Sequence, residues 1–147
     1  MQLAIRKLAF FATAVILTMS SVFAQNPPTL PAVHQNAGVE YMSGGIGVDE
    51  STAIKSISKK WPLTLVFSVK SSTRAQYVAD VNVSIKDVKG HVVLQVQSQG
   101  PYLLVKLPAG RYLVDAIYAG HSMTKKFVVA ETKPIHIDMV WPAGTGV

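Results

Sequence analysis

The spacing of apolar positions changes character twice along the chain. Leu8 to Leu17 is an apolar run. Further on, Ala53, Ile54, Ile57 and Trp61 recur at three- and four-residue steps, one stripe of a helix surface. The spacing predicts a helix near 49–60, with Asp49 as its cap. Acidic residues fall in its first turn and Lys59 and Lys60 in its last, which suits the helix dipole. Pro62 ends it. From Leu63 the period becomes two, the signature of strands. Leu63, Leu65, Phe67 and Val69 share one face, and Val81, Val83 and Ile85 alternate with Asn82, Ser84 and Lys86. Val92, Leu94 and Val96 form the next strand, and Leu103, Val105 and Leu107 another. Tyr112, Val114, Ala116 and Tyr118 follow, then Met123, Phe127 and Val129, then Ile135 to Trp141.

Turn residues separate these runs. Ser71 to Arg74 is a loop, Asp87-Val88-Lys89-Gly90 is a hairpin turn, and Gln99-Gly100-Pro101 turns again. Seven short strands with a turn every eight to twelve residues predict a mostly β chain. The fold expected is a seven-stranded antiparallel β-sandwich spanning 39–141, with one short N-terminal helix. Residues 142–147 are expected to fray.

The strands are organised around Leu107-Pro108-Ala109-Gly110-Arg111-Tyr112. Pro108 fits the second position of a four-residue turn, Gly110 closes it, and Tyr112 opens the next strand. Together with Val81 to Asp87, Gly90, Ala116, Tyr118 and Gly120, this element resembles the carboxypeptidase regulatory-like domain over about Tyr77 to Val129. That family has a transthyretin-like (prealbumin-type) sandwich. The resemblance implies small periplasmic proteins of Gram-negative bacteria, and a domain that is not an enzyme but a binding or accessory module. It also implies a structural role for Pro108, Gly110 and Tyr112, the last as a tyrosine corner whose hydroxyl bonds backbone a few residues upstream. The Tyr-Arg-Gly-Ser ending of the transthyretin-like hydroxyisourate hydrolases is missing; this chain ends Pro142-Ala143-Gly144-Thr145-Gly146-Val147.

The N-terminal residues supply an address. Arg6 and Lys7, the Leu8–Leu17 run and the small-residue boundary Val22-Phe23-Ala24 form the layout of a secretory signal peptide over 1–24. The run is shorter than the ~20 residues that span a bilayer, so no transmembrane segment is expected after cleavage. Residues 25–38, with three prolines and no charge, are expected to be a flexible lead-in. The whole chain carries 14 Lys and Arg against 8 Asp and Glu, a formal +6. Loss of Arg6 and Lys7 with the leader brings this to +4. The remaining lysines are scattered, which argues against nucleic acid as a partner. The absence of cysteine excludes thiol catalysis, thiolate metal sites and a lipid-anchored lipoprotein.

Candidate chemistry is sparse. Gly44-Gly45-x-Gly47 is neither a P-loop nor a dinucleotide fingerprint. His121 and Ser122, with Asp115 or Asp138 as the acid, are the nearest approach to a triad, but neighbours on a strand face opposite ways. His34, His91, His121 and His136 have no tight ligand spacing, although His136 and Asp138 share one strand face. Val92–Val96 and Lys125–Val129 are candidate edge strands, the second guarded by Lys125 and Lys126. The expectation is a secreted periplasmic module without catalytic, cofactor-binding or metal residues, its partner a protein or carbohydrate of the cell envelope. A small periplasmic metal-handling protein is the alternative, and a hydrolase with an unrecognised site is a third class.

Overall fold

A computed structural model describes residues 29–147. The leader and the first residues of the lead-in lie outside that range. Ten strands run in the order β1 (Val33–Asn36), β2 (Val39–Gly44), α1 (Val48–Ile57), β3 (Leu63–Val69), β4 (Gln76–Tyr77), β5 (Asn82–Asp87), β6 (Val92–Gln97), β7 (Tyr102–Val105), β8 (Gly110–Tyr118), β9 (His121–Val129) and β10 (Ile135–Trp141). A single 3₁₀ turn, Ser58–Lys60, follows α1. Sheet A has the order β1-β2-β7-β3-β10, with β4 added to β3, and sheet B has the order β6-β5-β8-β9.

The two sheets pack face to face as a β-sandwich. The alternation in the sequence supplies their inner faces. Leu63, Leu65, Phe67 and Val69 of β3 meet Val83, Ile85, Leu94, Val114, Ala116 and Phe127 of sheet B. Burying each such side chain contributes about 1.5–3 kcal/mol. Trp141 closes one side of the sandwich. Its ring packs 5.6 Å from that of Tyr118, and its indole N–H donates to the His121 carbonyl at 2.9 Å.

Several expectations need correction. Among the described residues there are ten strands rather than seven, and the sandwich is not wholly antiparallel, because β10 pairs with β3 in parallel. Parallel pairing needs a long crossover, which no local alternation reveals. Part of the expected lead-in 25–38 is β1, a strand with exposed side chains that pairs with β2 through Ala37-Gly38. Both turn residues have positive φ, 50° and 81°, as a two-residue hairpin requires. The helix cap is Gly47, with no side-chain cap, and Asp49 sits inside the first turn. Residues 142–147 form a turn in which the Thr145 hydroxyl donates to the Pro142 carbonyl at 2.8 Å.

The helix adds a third layer. Ile54, Trp61, Met42, Val66, Tyr102 and Leu104 form a second apolar cluster between α1 and the outer face of sheet A. Thus β3 is buried along its whole length, including Thr64 and Ser68 on its outer side.

Candidate functional site

The outer face of sheet A is only partly covered by α1, and the uncovered part is a groove of about 490 Å³. Strand register builds it in rows. Tyr102 and Asp138 flank Val66 from β7 and β10, and Tyr77 and Val140 flank Ser68 from β4 and β10. His136 occupies the next row, beside Thr64. The floor is therefore Val66 and Ser68, one wall is the Tyr77 and Tyr102 rings, and the other is the β10 edge. Lys55 reaches in from α1, with its Nζ 5.8 Å from the centre of the Tyr102 ring.

The functional groups are arranged in pairs. The tyrosine rings lie 5.9 Å apart at 37°. Tyr102 is buried, whereas Tyr77 is 59% exposed. His136 Nε2 lies 3.1 Å from Asp138 Oδ1. Burial pushes the Tyr102 phenol well above its ordinary pKa, and the Tyr77 hydroxyl and the Asp138 charge push it the same way. One lysine and one aspartate give the groove a balance of charge, with donors and acceptors on opposite walls.

The glycine-rich segment has a structural reason. The Glu50 carboxylate turns back from the first turn of α1 and accepts the Gly45 N–H at 2.6 Å. A protein carboxylate thus occupies the place where a bound anion would be held. Gly45 has φ +96°, and a Cβ there would overlap the Tyr102 ring. A Cβ on Gly100 would likewise run into the Gly44 backbone. These glycines let β2, the β6–β7 turn and the Tyr102 ring approach closely.

No protein-family model matches the chain, and no curated protein matches it. Among solved structures it is similar to a 5-hydroxyisourate hydrolase of Klebsiella pneumoniae, at 18% identity and a TM-score of 0.41. That match covers 55% of this chain and 90% of the other. The likeness bears on fold alone, and no residue role is carried over from it. It does correct one expectation drawn from the family resemblance, that this domain is not an enzyme. That similar structure is named as a hydrolase, and the expectation is not carried further.

Of the residues singled out in the sequence, His136 and Asp138 are brought together in the groove. Tyr77, Tyr102, Lys55 and Ser68 were missed. They come from four separate elements, and strand register together with the docking of α1 makes them neighbours. The other candidates lie elsewhere. Asp115 accepts from the Thr124 hydroxyl at 2.6 Å and pairs with Lys86 at 3.1 Å on the outer face of sheet B. His121 pairs in register with Tyr118, and Ser122 with Ile117. His34 packs on Tyr41, with ring centroids 5.5 Å apart, and His91 lies 3.4 Å from Asp87. Among the described residues no three His, Asp or Glu side chains are grouped closely enough to hold a metal ion, and no helix is long and apolar enough to cross a membrane.

The central turn is a structural element away from the groove. The Tyr112 hydroxyl donates to the Pro108 carbonyl at 2.8 Å, and its ring stacks on Phe127 at 5.7 Å. Gly110 lies under the ring and does not have positive φ. At the edges, the Lys125 ammonium donates to the Asp138 carbonyl of β10 at 2.6 Å, occupying an acceptor that an added strand would need.

Proposed function

We propose that this chain is an exported carbohydrate-binding module of the cell envelope that takes a neutral, hydroxylated ligand in the groove between α1, β4 and β10. The observation that carries the reading is the Tyr77 ring, 59% exposed beside buried Tyr102, with Lys55, His136 and Asp138 around it. A sugar has an apolar C–H face and a rim of hydroxyls, each both donor and acceptor. The ring offers the face a platform, Asp138 accepts from hydroxyls, and Lys55 and Tyr77 donate to them. The balance of charge favours a neutral ligand over an anion or a cation. A few polar groups set into an aromatic and apolar concavity are the usual make-up of a small-molecule site.

Export rests on the leader pattern of residues 1–24, and the periplasm is the compartment it implies for a Gram-negative host. The Leu107–Tyr112 turn is the ground for placing the chain near the carboxypeptidase regulatory-like domains. Titration of the protein cut after Ala24 against a panel of neutral oligosaccharides tests the binding. Tyr77→Ala is expected to weaken the tightest binder at least tenfold without moving the denaturation midpoint. Binding that survives both Tyr77→Ala and Asp138→Asn removes the groove from the account. Product analysis in the same titration reports any turnover.

A further inference from the structure

A second concavity of about 420 Å³ lies on the other side of the same tyrosine pair. Tyr77 and Tyr102 border both, so the pair is a shared partition between two adjacent concavities, and the 59% exposed Tyr77 forms its solvent edge. Their chemistry differs. The first holds Lys55, Ser68, His136 and Asp138. The second is lined by Ile46, Val48, Val78 and Pro101, with the glycine backbone between them.

Two of those apolar side chains do nothing for the fold. Ile46 precedes the helix cap Gly47, the position from which an apolar residue ordinarily packs on the fourth residue of the helix. Here that fourth residue is Ser51, and Ile46 is 65% exposed. Val48, the first helical residue, is 80% exposed, and neither side chain belongs to an apolar cluster of the core. Adjacent exposed aliphatic groups cost solubility. Here they line a concavity that adjoins the polar groove across the tyrosine pair.

We propose that the ligand is amphipathic: a sugar that carries an aliphatic substituent. The sugar lies on Tyr77 among Lys55, His136 and Asp138. The aliphatic group passes the tyrosine pair and lies against Ile46 and Val48. This deepens the carbohydrate reading and rests on it.

The test compares methyl β-maltoside with octyl β-maltoside, both below micelle-forming concentration, by amide chemical-shift mapping of the protein cut after Ala24. The methyl compound is expected to shift amides around Lys55, His136 and Asp138 only. The octyl compound is expected to shift these and those of Gly45 to Val48, and to bind at least tenfold more tightly. Ile46→Ser combined with Val48→Asp, both at exposed positions, is expected to abolish the octyl advantage and leave methyl binding unchanged. Octyl binding without shifts at Gly45 to Val48, or with its advantage intact in the double variant, overturns the amphipathic ligand and leaves the sugar site standing. Octyl-dependent shifts at Gly45 to Val48, with no response around His136 and Asp138 to either compound, overturn the carbohydrate reading and this inference together. So does the absence of any shift.

Discussion

The two outer faces of the sandwich have been put to different uses. That of sheet A is apolar enough to be covered. Val66, Leu104, Tyr102 and Met42 lie under α1 and Trp61, and the groove is what the helix leaves open. Among the described residues, that of sheet B carries no helix. Its centre is a polar row, Ser84, Asp115 and Thr124, in strand register, with Ile117 and Val128 exposed nearby. A covered face supplies both depth and a low-dielectric floor in which a tyrosine can be buried. A bare face supplies hydrogen bonds that water can replace. The groove with a buried tyrosine therefore lies on the side where the fold has a third layer, while the concavity on sheet B, about 400 Å³ beside Arg111, Leu113, Lys126 and Val128, has no such cover.

The sharpest way to break this contrast is to remove the helix from the sheet. Ile54→Ala empties a fully buried position of the outer cluster. It is expected to cost about 2–5 kcal/mol, as large-to-small core changes do. Ile117→Thr on sheet B is expected to stay within about 0.5 kcal/mol. Urea denaturation of both variants makes the comparison, and equal costs would mean that the helix is not integral to the fold.

The next effect lies at the glycine-rich segment. Gly45→Ala puts a Cβ at positive φ against the Tyr102 ring, whereas Gly110→Ala meets neither obstacle. The first is expected to destabilise by about 1–3 kcal/mol and to displace the Tyr102 ring. The second is expected to be near neutral. Thermal melts and the Tyr102 side-chain resonances report the two outcomes.

Tyr112→Phe removes one hydroxyl–carbonyl bond at the central turn, with an expected loss of about 1 kcal/mol. An unchanged denaturation midpoint would show that the corner is held by packing on Phe127 alone.

The smallest effect belongs to the bare face. The Thr124 hydroxyl, and after it the Lys86 ammonium, hold the Asp115 carboxyl below the ordinary carboxylate pKa despite partial desolvation. A lowered folded-state pKa means that this group stabilises the fold above its unfolded value of about 3.9. That contribution is lost as pH falls through the folded value. Asp115→Asn is expected to cost under about 1 kcal/mol at pH 7, since the pair is substantially exposed. It should cost progressively less on acidification. A variant equally destabilised at pH 7 and pH 2.5 would place the effect in packing rather than charge.

Local patterning determined much of this protein. The alternation from Leu63 onwards decided the strands and which of their side chains face the core, because side-chain direction along a strand has period two. The Ala53–Trp61 stripe decided that a helix precedes them. Asp87 to Gly90 and Leu107 to Tyr112 decided two of the turns, whose bonds close within a few residues: the Asp87 carboxylate accepts from the Lys89 and His91 amides, and Tyr112 donates to Pro108. What local patterning could not decide is which strands lie side by side. The parallel pairing of β3 with β10 joins residues some seventy positions apart. Nothing in either segment alone specifies that partner. β1 escaped notice because Val33-His34-Gln35-Asn36 has all its side chains exposed and so carries no alternation. Of the groove, only His136 and Asp138 were legible, since they share one strand face two residues apart. Tyr77, Tyr102 and Lys55 join them through the pairing of β4, β7 and β10 with β3 and through the docking of α1. The site is a product of long-range register, and long-range register is set by how the buried faces fit together.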